Sequence, residues 1–564
     1  MNLDELKNAG EAPEWMNEEG FKTLNAGYLL QNETPRQMYS RVAKAAASYY
    51  KDSKKWKDKF FNAMWRNWLC IASPIAANLG TDRGLPISCN TIHLADSVDS
   101  IFMKNYELAV LSKNGAGVGI YFGDIRGRGE VIKGNGVSEG VVPWAKVFDT
   151  TTVSISQGST RRGASAIYLP IEHLDIQEFI NIRRPTGDIN RRCLNINHGI
   201  CIGDAWMQDM QNGDIKKRKL WSEILKARVE TGEPYLFFTD NVNKNNPECY
   251  TKNNLAVKSS NICSEITLHT DPQHSFVCCL SSLNLVRWEE WKNTDAVNIT
   301  VRFLDAVLSE YIAKTESIKG MEASRLSAIK GRAIGIGVLG WHTMLQEKGL
   351  VFESFDAMQL NAQIFRDIRE KADSETKILA EELGEPEWCK GFGRRNTHTM
   401  AVAPTVSNST ISGGYSAGIE PISANIFTQK SAKGTFIRKN VTLDKLLDAK
   451  GKNTLDIWKS INEQNGSVQH LSCLSDQEKQ VFLTAREINQ FAVIKLAAQR
   501  QKWIDQAQSV NLFFAVNSTP KYIHDVHIAA WRDGLKTLYY LRSDGVIKSD
   551  LASRSEDDCK ACES

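Results

Sequence analysis

The chain lacks any run of about 18 apolar residues, so it offers no membrane-spanning helix. Its beginning, Met1 to Glu19, is polar and acidic and has none of the pattern of a secretory signal, which places the expected protein in the cytoplasm. An excess of charge of one sign is missing as well. With 69 Lys and Arg against 66 Asp and Glu, the net charge is +3, which gives no electrostatic reason to expect a nucleic-acid polymer or a membrane surface as partner. No repeat of fixed period is present, so a solenoid or propeller is not expected. Cysteine is sparse, with 12 in 564 residues, and in a cytosolic chain most should be reduced, buried and inert.

What is present is ordinary in bulk and unusual in detail. Hydrophobic residues at 42% and charged residues at 24% describe a folded globular protein. Its 564 residues exceed the usual size of one hydrophobic core, so a large catalytic domain with appended lobes is expected. Short apolar runs at 117–125, 164–171, 198–203, 235–240, 400–405, 510–516 and 537–542 read as strands buried on both faces. They alternate with helical patterns, among them 303–312 and a long one from about Asp356 to Leu383, stopped by Gly384. This order predicts a parallel α/β architecture.

The most informative stretch is Asn261-Ile262-Cys263-Ser264-Glu265. If it is extended, an amide, a thiol and a carboxylate share one face. Such a face suits work on a polyhydroxylated substrate better than core packing, although the pattern alone is weak. Cys278 and Cys279 are adjacent, and Cys559-Lys-Ala-Cys562 ends the chain. A terminal C-x-x-C is a redox pair or half of a zinc site, and with no second ligand pair of suitable spacing the redox reading is preferred. Lys113-Asn-Gly-Ala-Gly-Val-Gly119 mimics a dinucleotide fingerprint, but it precedes a strand instead of joining a strand to a helix. Ser156-Gln-Gly-Ser-Thr-Arg-Arg-Gly163 fits a loop that contacts phosphate or base, or a solvated basic turn. Ala403-Pro-Thr-Val-Ser-Asn-Ser-Thr410 fits a phosphate cradle built from hydroxyls and backbone N–H groups, or a plain polar loop.

Together, Asn261-x-Cys263-x-Glu265, Cys278-x-Leu-x-Ser-Leu-Asn284-Leu, Ser88-Cys89, the Pro404-Thr405 loop, Tyr539-Tyr540 and the C-terminal cysteine pair resemble the catalytic α subunit of class I ribonucleotide reductases. The resemblance runs from about residue 20 to the end, in a short, phage-like or minimal form whose pattern leaves no room for the family's N-terminal ATP cone. It implies an α/β fold: a ten-stranded α/β barrel of two parallel five-stranded halves with a central finger loop, after a small helical region. The domains expected are a mainly helical region at 1–70, the barrel at 71–545 with its effector loops, and a redox-active tail at 546–564. If the gene is phage-encoded, the location is the host cytoplasm.

The resemblance also implies roles. Cys263 would carry the thiyl radical, Glu265 would act as the base for the 3′-hydroxyl, and Asn261 would hold the substrate. Cys89 and Cys278 would supply two electrons and close to a disulfide, which Cys559 and Cys562 would reduce with thioredoxin or glutaredoxin behind them. Cys279 would be structural. Tyr539 and Tyr540 would relay the radical from a ferritin-like β subunit with a metal centre, so this chain itself needs no metal or bound cofactor. Ser73, Ser88, Gly117, Arg161, Pro404, Thr405, Val406, Ser407 and Asn408 would bind the ribonucleotide substrate. Asp96, Ser97, Val98, Arg126 and Lys133 would bind a deoxynucleotide or ATP as specificity effector, dTTP first, at a homodimer interface. Three rivals remain at this point. An adenosylcobalamin-dependent reductase would have no use for the tyrosine pair; a glycyl-radical lyase would need an R-V-x-G-Y sequence that is missing; a nucleotide-sensing or thiol-relay protein would not need Glu265 beside Cys263.

Overall fold

The computed structural model describes residues 2–157, 161–431 and 434–543. The chain opens with four helices, Leu3–Asn8, Glu18–Asn25, Pro35–Ala47 and Ser53–Trp65. Each starts where the sequence supplies a cap: the side chains of Asn2, Asn17, Thr34 and Asp52 accept from backbone N–H groups of the first turns. Their apolar faces join the outer core through Leu24, Met38, Val42 and Phe60.

The barrel follows, in two halves. In the first, the strands Cys89–His93, Gly117–Tyr121, Ala164–Pro170, Asn197–Ile202 and Tyr235–Phe238 pair in parallel, each with the next. In the second, Phe276–Asn284 pairs in parallel with Ile334–Leu339; single parallel bridges then link Ile336 to Met400 and Val402 to Gln508; Leu512–Phe514 pairs in parallel with Leu541–Ser543. The halves meet antiparallel at both seams. Phe276–Asn284 lies against Cys89–His93, and Thr537–Leu538 lies against Tyr235–Phe238. Five strand positions per half and two antiparallel seams give the expected ten-stranded barrel.

Side chains alternate between two cores, as the two-residue period of a strand requires. Along Ala164–Pro170, Ala164, Ala166 and Tyr168 face inward while Ile167 and Leu169 face the helices outside. In Phe276–Asn284, Cys278 faces in and Cys279 faces out. The outer layer includes the helices Ala296–Thr315 and Phe355–Leu383, which enclose both helical stretches read from the sequence. The longer one is capped by Ser354, buries Ala357, Ile364, Phe365, Ile368, Ala372 and Leu379 on one stripe, and ends at Gly384 with φ +82°.

Three expectations are corrected. The run 400–405 is not a ladder strand: only Met400 and Val402 bridge to neighbours, and the carboxylate of Asp505 accepts from the backbone N–H groups of Thr399 and Met400. The run 537–542 breaks into two pieces around Tyr539 and Tyr540. The polar stretch after Pro404 is a short helix, Val406–Ile411, entered through Thr405 at φ +57°.

Candidate active site

Residues 255–268 cross the barrel interior as a finger. Leu255, Val257, Ile262, Cys263, Ile266 and Leu268 pack in the inner core with Tyr168, Tyr235 and Phe237. The loop can enter because the Gly117–Tyr121 strand presents no side chain at position 119. A Cβ on Gly119 would sit 2.1 Å from the Ser260 carbonyl oxygen and 3.0 Å from the Asn261 Cα. Hydroxyls from three strands or segments then tie the loop down. Thr91 and Tyr168 donate to the carbonyls of Ser260 (3.0 Å) and Asn261 (2.6 Å), and Thr537 donates to that of Ser264 (2.8 Å).

The segment Asn261–Glu265 is a tight turn and not an extended strand, with Ser264 at φ +68°. The turn still brings the expected groups together, by another route. Asn261 Nδ2 donates to Glu265 Oε1 at 2.9 Å, while Asn261 Oδ1 accepts from the Ile266 N–H at 3.2 Å. Ser509 Oγ donates to the Cys263 carbonyl at 2.5 Å and to Glu265 Oε2 at 3.2 Å. Asn261, Cys263 and Glu265 are all buried. Burial pushes the Glu265 carboxyl up to about 7, against the opposing pull of the Asn261 and Ser509 hydrogen bonds. A carboxyl poised there exchanges a proton readily at neutral pH.

Cys89 and Cys278 are direct partners in the antiparallel register of the seam strands. Such partners have Cα atoms about 4.5–5.5 Å apart, which lies inside the range a disulfide spans. Both cysteines are buried. Burial raises the Cys278 thiol well above its ordinary range, so it stays protonated and can deliver hydrogen. Gln506 Nε2 approaches its sulfur at 3.4 Å and holds the Ile334 carbonyl at 3.0 Å. On the other side of Cys89 the parallel partner is Gly117, whose N–H donates to the Ser88 carbonyl at 2.8 Å.

Tyr539 and Tyr540 both face the inner core, where alternation along an unbroken strand would have pointed them apart. The break between Leu538 and Leu541 permits this. Their ring centroids are 4.3 Å apart, and Tyr235 lies 4.7 Å from the first and 5.0 Å from the second. Thr537, just before the pair, donates to the Ser264 carbonyl, so the pair adjoins the finger loop. Tyr540 accepts from Asn197 Nδ2 at 3.0 Å, and the Arg542 guanidinium lies 4.3 Å over its ring. Burial pushes the Tyr540 phenol up to about 12. The buried Arg228 braces the break, donating to the Tyr539 carbonyl at 3.0 Å.

Beside this centre, Ser73 opens the helix Ser73–Asn78 and lines one small cavity with Asn408. Thr405, Ser407 and Asn408 are buried, Val406 is exposed, and Asn408 Oδ1 has no hydrogen-bond partner among the described residues. Thr405 Oγ1 accepts from the Gly418 N–H at 2.7 Å, which fixes the entry to the helix at Val406. The backbone N–H groups of that first turn point outward from the helix end.

The residues expected at an effector site form a separate group. Ser97 caps the helix Val98–Lys113, Arg126 Nε donates to Asp96 Oδ2 at 2.6 Å, and Arg126 also reaches the Val131 carbonyl at 3.3 Å. Lys133 sits exposed between the short strands Val131–Ile132 and Gly136–Val137. The side chain of Arg161, together with Cys559 and Cys562, lies outside the described residues. Gly119, Tyr235, Arg228, Gln506 and Ser509 were not singled out from the sequence. Gly119 alone carried a signal, as the last glycine of a glycine-rich run entering a strand; the others are single polar or aromatic residues far along the chain from their partners.

Comparison with known proteins agrees with this geometry. The family described as ribonucleotide reductase, barrel domain, matches residues 87–214, 208–391 and 387–541, and the ribonucleotide reductase all-alpha domain matches 15–84. The chain is 33% identical to a ribonucleoside-diphosphate reductase large subunit of Invertebrate iridescent virus 3, covering 96% of this chain and 98% of the relative. It is 30% identical to the large subunit of Arabidopsis thaliana, over 93% of this chain and 75% of the relative. Among solved structures, the class Id ribonucleotide reductase alpha subunit of Actinobacillus ureae superposes with a TM-score of 0.88 at 41% identity, covering 95% of this chain and 99% of that one.

Proposed function

Because the chain belongs to the ribonucleotide reductase large-subunit family, and with it to the class I ribonucleoside-diphosphate reductases, we propose that Cys263 is its thiyl-radical residue and that Cys89 and Cys278 are its reducing pair. The observation that carries the proposal is the convergence of three separate sequence elements inside one barrel: the 261–265 turn, the directly opposed cysteines of the seam, and the tyrosine pair adjoining the turn.

In this reading the Cys263 radical takes the hydrogen from C3′ of the ribose. Glu265, held by Asn261 and Ser509, accepts the 3′-hydroxyl proton. The 2′-hydroxyl leaves as water, and Cys89 and Cys278 together give up two protons and two electrons as their S–S bond forms. Cys263 then returns hydrogen to C3′ and recovers its radical. The net change is one hydroxyl replaced by hydrogen, one water released and one dithiol oxidised. Asn261 spends its amide on Glu265 and Ile266, so its first role is to position the base.

The radical comes from a partner subunit of the class I type, whose metal centre supplies the oxidising equivalent. On this chain the residues that would carry it inward are Tyr540 and Tyr539. Their closely packed, mutually tilted rings, held protonated by burial, suit coupled electron and proton transfer to Cys263. Ser73, Ser88, Gly117 and residues 404–408 would take the substrate's phosphate and ribose, with backbone N–H groups as the main phosphate donors because Val406 has no polar side chain. Arg161 would meet the base.

Asp96, Ser97, Val98, Arg126 and Lys133 would bind a nucleoside triphosphate effector, dTTP foremost, at the interface with a second copy. Support comes from the same helix, where Val98, Phe102, Met103 and Tyr106 stand exposed. Cys559 and Cys562 would return reducing equivalents from thioredoxin or glutaredoxin. No helix among the described residues is long and apolar enough to cross a membrane, and a cytoplasmic site of action fits the substrate.

The test is CDP or GDP reduction by the chain with a ferritin-like subunit, with and without dTTP or ATP. Reduction that needs the second subunit and is lost in Cys263→Ser is expected. Reduction by the chain with adenosylcobalamin alone would overturn the class I assignment of the radical source. Cys559→Ser with Cys562→Ser should spare a first turnover and block thioredoxin-driven cycling; full cycling would refute the tail's role.

A further inference from the structure

Between the finger loop and the strand that carries Cys278, the chain makes a tight turn at His269, Asp271 and His274. One donor atom of each of these residues lies within 4.8 Å of the other two. His269 Nε2 is 3.1 Å and His274 Nδ1 is 3.0 Å from the same carboxylate oxygen, Asp271 Oδ2. The other oxygen, Oδ1, is taken up by the turn, accepting from the N–H groups of Gln273 (2.7 Å) and His274 (2.8 Å), with His274 Nδ1 also 3.0 Å away. The carboxylate is therefore fixed in orientation, with Oδ2 aimed at the histidines.

His269 is oriented from behind. Its Nδ1 lies 2.7 Å from the Ala256 carbonyl, an acceptor only, so Nδ1 carries the proton. In the neutral ring that leaves a lone pair on Nε2 pointing at the carboxylate oxygen. Two such electron-rich atoms at 3.1 Å require a positive charge between them, either a proton or a cation. A carbonyl behind a histidine is also the arrangement that orients metal-ligating imidazoles. Tetrahedral bonds of about 2.0–2.1 Å put neighbouring zinc ligands roughly 3.3 Å apart, close to the spacing found here. The Trp388 ring packs against both histidines, at 6.1 and 5.4 Å, and shields one side. Asp271 remains part-exposed, which leaves an entry path and room for water as a fourth ligand.

We propose that His269, Asp271 and His274 form a binding site for a divalent transition metal of the zinc type, held by two imidazoles and one carboxylate. Nothing in the reaction uses it. Its position makes it structural, because it would staple the end of the finger loop, which leaves the barrel at Leu268, to the start of the strand Phe276–Asn284, and so fix Cys263 and Cys278 relative to each other. Two imidazoles and a carboxylate favour zinc, copper or nickel over magnesium or calcium.

The experiment uses the full chain, freed of any affinity tag and carrying Cys559→Ser and Cys562→Ser so that the tail dithiol does not compete. Zn2+ is titrated against a metallochromic chelator, and Co2+ binding is followed by absorption. One equivalent of Zn2+ is expected, with affinity weakened at least tenfold in both His269→Gln and Asp271→Asn. The Co2+ complex should show a tetrahedral d–d spectrum without a sulfur charge-transfer band. Asp271→Asn keeps the Oδ1 that the turn needs, so loss of binding in a variant with an unchanged thermal melt separates ligation from folding. Absence of Zn2+ binding, equal binding in the variants, or a Co2+ spectrum dominated by thiolate ligands would overturn the proposal and leave a proton as the charge between His269 and Asp271.

Discussion

The two halves of the barrel are built from the same number of strand positions but not with the same regularity. From Cys89 to Phe238 the first half is five parallel strands, each paired in order with the next. The second half holds one long strand pair, two single bridges and a pair broken around Tyr539 and Tyr540. The interruptions coincide with chemistry. Residues outside the regular strands of the second half include Gln506 against Cys278, Ser509 against Cys263 and Glu265, Thr405 at the entry to the polar helix, and the tyrosine pair. A regular ladder sends alternate side chains to opposite faces, so it cannot place adjacent tyrosines in one core. The regular half therefore acts as wall and the irregular half as machinery, with the finger loop crossing between them.

That contrast can be broken most sharply at the tyrosines. Tyr539→Phe and Tyr540→Phe each keep the ring and lose the hydroxyl, and each should abolish turnover with the partner subunit while dTTP binding is unchanged. Loss of effector binding in equilibrium dialysis would instead make the tyrosines structural. Glu265→Gln comes next. Removing a positioned base should cost on the order of 10²–10⁴-fold in kcat. The pH profile adds a signed check. A base must be deprotonated to act, and the Glu265 carboxyl is raised to about 7 by burial, so kcat should climb as pH rises through about 7. In Glu265→Gln that rise should vanish from the residual rate.

The wall can be tested at Gly119. In Gly119→Ala the added methyl meets the Ser260 carbonyl, so the finger loop must shift while the strand stays in place. A shift of this kind should lower kcat by roughly 10²-fold, and the overpacking should cost about 1–3 kcal/mol of stability in a denaturant titration. Full activity would show that the loop tolerates displacement. The smallest effect belongs to Cys279, which faces the outer helices. Cys279→Ala should retain activity and cost about 1 kcal/mol of stability in a denaturant titration. Equivalent inactivation of Cys278→Ala and Cys279→Ala would contradict the assignment of the inner cysteine alone.

Four of the five strands in the first half were legible as apolar runs, whereas Cys89–His93, with Asn90, Thr91 and His93, gave no such signal; the helix Phe355–Leu383 was legible because its stripe and its glycine stop are local signals. The second half was legible only in part. The run 400–405 has strand composition, but Asp505 captures its first N–H, at Met400, and that of Thr399 before it, a partner about 105 residues away that no local pattern reveals. At the site, Cys263 and Glu265 stood out by spacing, yet the face they share comes from a turn at Ser264 and not from a strand. Cys89 and Cys278 were paired through the family resemblance, and the register supplies the physical reason. Tyr235 was invisible as a member of the aromatic cluster because nothing in Tyr235–Phe238 distinguishes it from a core strand.

The most direct measurement follows the sulfurs. The pre-reduced chain with Cys559→Ser and Cys562→Ser is mixed with the radical-bearing partner, CDP and effector, without external reductant, then alkylated and digested. Peptides linked through Cys89 and Cys278 should appear at one per dCDP formed, with Cys279 still alkylated. Product formed while Cys89 and Cys278 both remain alkylatable would contradict the account.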